Sequence, residues 1–195
     1  MVSLSSVCVY CGSSIRVNDV YKEAARQLGA RLADAGIGVV YGGGRIGLMG
    51  LVADAVLAAG GRITGIIPDH LRVLELSHSD LSELVVVESM QERKRLMAER
   101  SDAFVVLPGG FGTLDEMFEV ATWKQLRLHD KPIVIANIAG YWTPLLTAMD
   151  HMTAEGFVSG GHHRLFRVVD DIDGVLSALH DRLEPAATPA LNRAR

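Results

Sequence analysis

The sequence predicts an α/β domain of the Rossmann-like, doubly wound kind: a parallel sheet of about six or seven strands with helices on both faces. Short apolar, β-branched runs alternate with helical patterns along nearly the whole chain. The runs are almost continuously hydrophobic, as strands buried on both faces are. Three of them end in glycine-rich turns, and a parallel sheet collects such turns at one edge, beyond the carboxyl ends of its strands.

The strand runs are 4–10, 37–41, 62–67, 84–88, 103–107 and 132–136, with a weaker one near 165–169. Between the first two, residues 18–35 place Ala24, Leu28, Leu32 and Ala35 on one helical stripe, which stops at Gly36. The second helix, 48–59, is small and apolar almost all round, the pattern of a helix sandwiched in the core. Residues 89–100 follow the fourth strand and open on Ser89 with Glu92 three positions later, a capping box. Helical patterns over 114–128, 142–155 and 170–183 complete the set. At 195 residues and 21.0 kDa the chain suits one domain, 1–183, able to bury roughly 70% of its unfolded surface. The tail 184–195, rich in Pro and Ala, reads as disordered. No internal repeat is evident.

Composition narrows the function classes. A formal net charge of −4 argues against a nucleic-acid binder, which needs a basic face. The longest apolar stretch, 51–59, is too short to span a membrane and carries Asp54, and the first residues lack a signal pattern. A cytoplasmic protein is the expectation. The seven histidines show no metal-ligand spacing, so no metal is expected. Cys8 and Cys11 form a C-x-x-C, yet Cys8 lies inside a strand run, so a small buried hydrophobe is a better reading than a redox pair.

The three turns are Cys11-Gly12-Ser13-Ser14, the run from Tyr41 through Gly42, Gly43 and Gly44 to Gly50, and Leu107-Pro108-Gly109-Gly110-Phe111-Gly112-Thr113-Leu114-Asp115-Glu116. Glycines let backbone N–H groups approach a ligand, and a helix start adds unpaired donors with partial positive charge, a natural seat for phosphate. Candidate contacts are Gly12, Ser13, Gly43, Gly44 and the motif residues Gly109, Gly110, Phe111, Gly112 and Thr113. No G-x-G-x-x-G follows the first strand and no acidic residue ends the second, so a mononucleotide fits better than a dinucleotide. Glu116 has two readings: a partner for Thr113 in a capping box, or a working carboxylate. Asp115 reads as a first-turn acid favoured by the helix dipole, and Glu119 as solvated. Met90, Arg93 and Lys94 lie in the first turn of a helix that begins at the carboxyl end of the fourth strand. They read either as a solvated face or as groups reaching a phosphate or ribose.

These residues resemble the LOG ("lonely guy") family. Pro108-Gly109-Gly110-Phe111-Gly112-Thr113-Leu114-Asp115-Glu116 fits its P-G-G-x-G-T-x-x-E signature, and Glu92-Arg93-Lys94 its E-R-K, with both earlier turns also matching. The resemblance runs from about Val7 to Val169. It implies a cytokinin riboside 5′-monophosphate phosphoribohydrolase that also accepts AMP, cleaving the N-glycosidic bond to give base and ribose 5-phosphate. It implies Arg93 and Glu116 as catalytic residues, ligand contacts at Glu75, Lys94, Gly110–Thr113 and Thr122, no cofactor, and a homodimer. The helix bearing Met117, Phe118, Val120, Ala121, Trp123 and Leu126 is apolar on more than one face, as a dimer seam or a buried interior helix would be. A nucleotide-binding or carrier module would share the glycine turns; the joint presence of Arg93 and Glu116 distinguishes an enzyme. Proteins with this signature have also been labelled lysine decarboxylases. That chemistry needs a pyridoxal phosphate Schiff-base lysine, and none of Lys22, Lys94, Lys124 and Lys131 sits in such a context.

Overall fold

The computed structural model describes residues 4–72, 78, 80–158 and 161–180. The tail 184–195 therefore lies outside the described residues. In chain order the elements are β1 (Ser6–Tyr10), α1 (Asp19–Asp34), β2 (Gly38–Tyr41), α2 (Gly47–Ala58), β3 (Ile63–Pro68), α3 (Asp69–Arg72), β4 (Glu83–Val87), α4 (Met90–Glu99), β5 (Ala103–Val106), α5 (Phe111–Gln125), β6 (Ile133–Ala136), α6 (Thr143–Ala154), β7 (Arg167–Val169) and α7 (Asp173–His180).

The seven strands form one parallel sheet in the order β4-β3-β2-β1-β5-β6-β7. The chain winds outward from β1 in one direction, then returns to β1's other side at β5. That reversal opens a crevice at the carboxyl ends of β1 and β5, where ligands of such sheets sit.

Two apolar layers hold the sheet. Val7 and Val9 of β1 face a layer with Leu28 and Leu32 of α1, Val52 and Val56 of α2, and Val175 and Leu179 of α7. Cys8 and Tyr10, alternate residues of the same strand, face Met97 of α4, Met117 and Val120 of α5, and Met149 of α6. The doubly wound fold read from the sequence is thus the fold observed. Both cysteines are free and buried, and burial pushes both thiols well above their ordinary pKa, which favours the buried-hydrophobe reading over redox chemistry.

Caps fix the helix starts. Asn18 accepts a hydrogen bond from the Val20 N–H before α1. Ser89 accepts one from Glu92 N–H before α4, while Glu92 accepts from the backbone of Glu88 rather than Ser89. Glu92 thus ties the turn after β4 to the first turn of α4.

Candidate active site

The three glycine turns interlock at the carboxyl edge. Gly12 donates its N–H to the Pro108 carbonyl (3.1 Å), and Leu48 at the start of α2 donates to the Gly12 carbonyl (3.0 Å). Gly43, at φ +78°, takes a backbone conformation that disfavours side chains, and its carbonyl accepts the His78 N–H (3.2 Å). A Cβ on Gly109 would lie 2.1 Å from Thr113 Oγ1, so this glycine makes room for the buried Thr113. Ser13 is exposed at the rim, and Gly44 is buried beside Gly43.

The helix α5 starts at Phe111, three residues before the predicted 114, with Gly110 at its N-cap and no side-chain cap. Thr113 is therefore inside the helix, so the capping-box reading of Glu116 does not hold. Glu116 stands one and a half turns in, and its Oε1 lies 3.7 Å from Arg93 Nη2.

Arg93 is 6% exposed and Glu116 8%. The arginine is fixed from the neighbouring strands: Nε donates to the Ile66 carbonyl (3.1 Å), Nη2 to the Gly42 carbonyl (3.3 Å), and Nη1 approaches Met90 Sδ at 3.7 Å. A Cβ on Gly42 would lie 2.1 Å from Nη2, so the guanidinium occupies the space that glycine leaves. A buried charge pair of this kind keeps its shape because losing either partner strands the other.

Lys94, also expected at the ligand, is held between α4 and α5 by Asp115 (3.1 Å) and Glu119 (3.3 Å). Burial lowers its pKa, but hydrogen bonds to those carboxylates outweigh this and raise it above the ordinary value. Glu119 is thereby an ion-pair partner rather than a freely solvated acid. Gly110, Phe111 and Gly112 are exposed at the turn. Thr122 is exposed ten residues beyond Gly112, about 15 Å along the α5 axis, and does not join the cluster within this chain. Glu75 lies outside the described residues.

Sequence reasoning passed over Tyr141, whose hydroxyl donates to the Gly109 carbonyl at 2.6 Å. Its only signal was its place after the sixth strand, whose turn opens on the same edge. A groove of about 280 Å³ runs beside Gly109–Phe111, walled by Tyr141 and Trp142. The larger cavity, about 690 Å³, opens at the amino edge among Ser6, Gly38, Arg62, Glu83 and Arg100 and contains none of the candidate residues.

The four lysines do not fit a pyridoxal phosphate site. A Schiff base needs an amine that is readily neutral. Lys22 pairs with Asp19 on the exposed face of α1, and Lys94 is held charged as described. Lys131 donates to the Ala98 carbonyl at the end of α4. Burial lowers the Lys124 pKa to about 8, but it lies near the far end of α5 and donates to the Lys131 carbonyl. By the helix rise it is about 18 Å along the axis from Gly112.

Fold and site define a Rossmann-like α/β protein in which a glycine turn at a helix start meets a buried arginine–carboxylate pair. A family described as "Possible lysine decarboxylase" matches residues 49–179. The cytokinin riboside 5′-monophosphate phosphoribohydrolase LOG1 of Arabidopsis thaliana is 47% identical over 78% of this chain and 72% of its own. The phosphoribohydrolase of that name from Rhodococcoides fascians is 43% identical over 89% and 88%. The chain belongs to the LOG family. Among solved structures, the molybdenum cofactor carrier protein of Chlamydomonas reinhardtii superposes with a TM-score of 0.68, covering 90% of this chain and 96% of its own. At 22% identity that likeness is one of fold.

Proposed function

We propose that the protein hydrolyses the N-glycosidic bond of cytokinin riboside 5′-monophosphates, and of AMP, to free base and ribose 5-phosphate. Relatives 43% and 47% identical carry the first activity in their names. The observation that carries the reading is the Arg93–Glu116 pair, buried and 3.7 Å apart beside the glycine turn. A module that only bound nucleotide would have no need to hold a carboxylate there, and hydrolysis rather than mere binding of AMP separates the two.

The phosphate docks on the N–H groups of Gly110, Gly112 and Thr113 at the start of α5. With the phosphate fixed, the anomeric carbon faces Glu116. Breaking the bond to the base builds positive charge on the ribose, which the carboxylate stabilises as it directs the attacking water. A guanidinium is a poor proton donor, so the role of Arg93 is to orient Glu116 and the ribose hydroxyls. The turns bearing Gly12, Ser13, Gly43 and Gly44, with Met90, line the remaining crevice. Lys94, Glu75 and Thr122 are ligand contacts that the resemblance to the LOG signature implies. The reaction calls on neither a metal nor an organic cofactor. The protein works in the cytoplasm as a homodimer, and neither nucleic acid nor membrane is a partner. Among the described residues no helix is long and apolar enough to cross a membrane.

Purified protein given isopentenyladenosine 5′-monophosphate or AMP should release base. Glu116→Gln should lower kcat on the order of 10²–10³-fold, as loss of one preorganised group does. Arg93→Ala should be similarly impaired. Full activity in both variants would overturn the reading.

A further inference from the structure

We propose that Tyr141 is a positioning residue for the substrate phosphate: its hydroxyl sets the direction of the Gly110 N–H. The inference rests on the reading that the turn after β5 holds that phosphate.

The hydroxyl donates to the Gly109 carbonyl at 2.6 Å. No peptide bond among the described residues is cis, and a trans amide points its C=O and the next N–H in opposite directions. Anchoring the Gly109 oxygen therefore aims the Gly110 N–H the other way. Strand order fixes which way that is. Tyr141 follows β6, on one side of β5, whereas Arg93 is held by carbonyls after β2 and within β3, on the other. The N–H of Gly110 thus turns from the β6 side toward the side of the Arg93–Glu116 pair.

An external anchor is needed because the two adjoining glycines have no Cβ to resist a flip of the peptide between them. Gly109 packs against Thr113, but a Cβ on Gly110 would meet nothing within 4 Å, so packing holds only one end of this peptide.

Tyr141 is itself well held. Its ring meets Tyr21 of α1 edge-on at 5.4 Å and Trp142 at 4.7 Å. Buried Asn137 closes the turn beneath it, accepting the Trp142 N–H (2.8 Å) and donating to Thr143 Oγ1 (3.2 Å). The turn needs Ala139 at φ 51° and Gly140 at φ 72°. These contacts give the hydroxyl a fixed origin, so its hydrogen bond transmits a direction.

The test is Tyr141→Phe, which keeps both ring contacts and removes only the hydroxyl. The dissociation constant of ribose 5-phosphate, measured by calorimetry, and the KM for AMP should each rise about tenfold, the worth of one hydrogen bond. The kcat should stay within about twofold, and kcat/KM for adenosine, which lacks the phosphate, should not change. Unchanged ribose 5-phosphate affinity, or equal losses on AMP and adenosine, would overturn the inference. A wild type that binds ribose 5-phosphate but releases no base would instead sink the enzymatic reading. The dissociation constants would still decide the role of Tyr141. A wild type that fails to bind ribose 5-phosphate overturns both.

Discussion

Gly112 occupies a helical position where the fold itself has no use for a glycine. Its φ is not positive, and a Cβ there would meet nothing within 4 Å. Alanine in a helix is favoured over glycine by about 0.5–1 kcal/mol. Gly112→Ala should therefore keep or raise the Tm by up to a few degrees while raising the KM for AMP. Scanning calorimetry and steady-state kinetics on one preparation read both. An unaltered KM would mean that no phosphate approaches that backbone. Gly42 behaves oppositely: a methyl group would collide with Arg93 Nη2 and lie 3.2 Å from Met49 Sδ. Gly42→Ala should displace the guanidinium and depress kcat. Both glycines were visible in the sequence, but not their different purposes. Arg93 was likewise nameable, whereas its anchors at Ile66 and Gly42 are backbone carbonyls, which no residue pattern announces.

At the scale of elements, the five inner strands were legible because a sheet buried on both faces writes itself as apolar runs, while the more exposed edge strands β4 and β7 showed through their β-branched residues. The start of α5 was not. Glycines are poor helix formers and Thr113 is a good cap, so local preference sets the boundary at 114. The interlocked turns and the packing of Thr113 over Gly109 override that preference, and Thr113 sits inside α5 instead of capping it. The four-residue α3 was also missed, being too short to show a period. One clamp between elements yields a pH prediction. Asp102, just before β5, accepts the N–H groups of Ser5 and Ser6 (both 2.9 Å) and the Ser5 hydroxyl (2.7 Å), fastening the start of β1 to its neighbour. Burial pushes its pKa up, but the hydrogen bonds from Ser5 and Ser6 prevail and hold it below its ordinary value. A carboxylate whose pKa is lower in the folded state adds stability above its unfolded pKa, about 3.9. That stability is lost as pH falls through the folded value. Asp102→Ala should lower the Tm at pH 7, and the gap from wild type should shrink below about pH 4. A gap independent of pH would show that the charge on Asp102 contributes nothing.

For the whole molecule, the surplus apolarity of α5 separates into two faces. Met117, Val120 and Ala121 are buried in the core, while Phe118 is 39% exposed and Leu126, just past the helix, is 64% exposed. Leu128 extends that outer surface at 70% exposure. Periodicity alone did not separate the two faces, because both are apolar and the partitioning depends on how α5 sits on the sheet. Large apolar side chains grouped at a surface mark an interaction site more often than chance. The proposed homodimer is the occupant that needs no second gene product. Leu126→Glu combined with Leu128→Glu should therefore convert the dimer to a monomer in sedimentation velocity. Circular dichroism should be unchanged, since exposed substitutions seldom cost more than about 0.5 kcal/mol within a folded chain. A variant that stays dimeric would place the seam away from this end of α5. A wild type that sediments as a monomer would refute the dimer itself. Base release by the monomer would show that one chain holds a complete site, whereas its loss alongside dissociation would show that the second copy helps to build it.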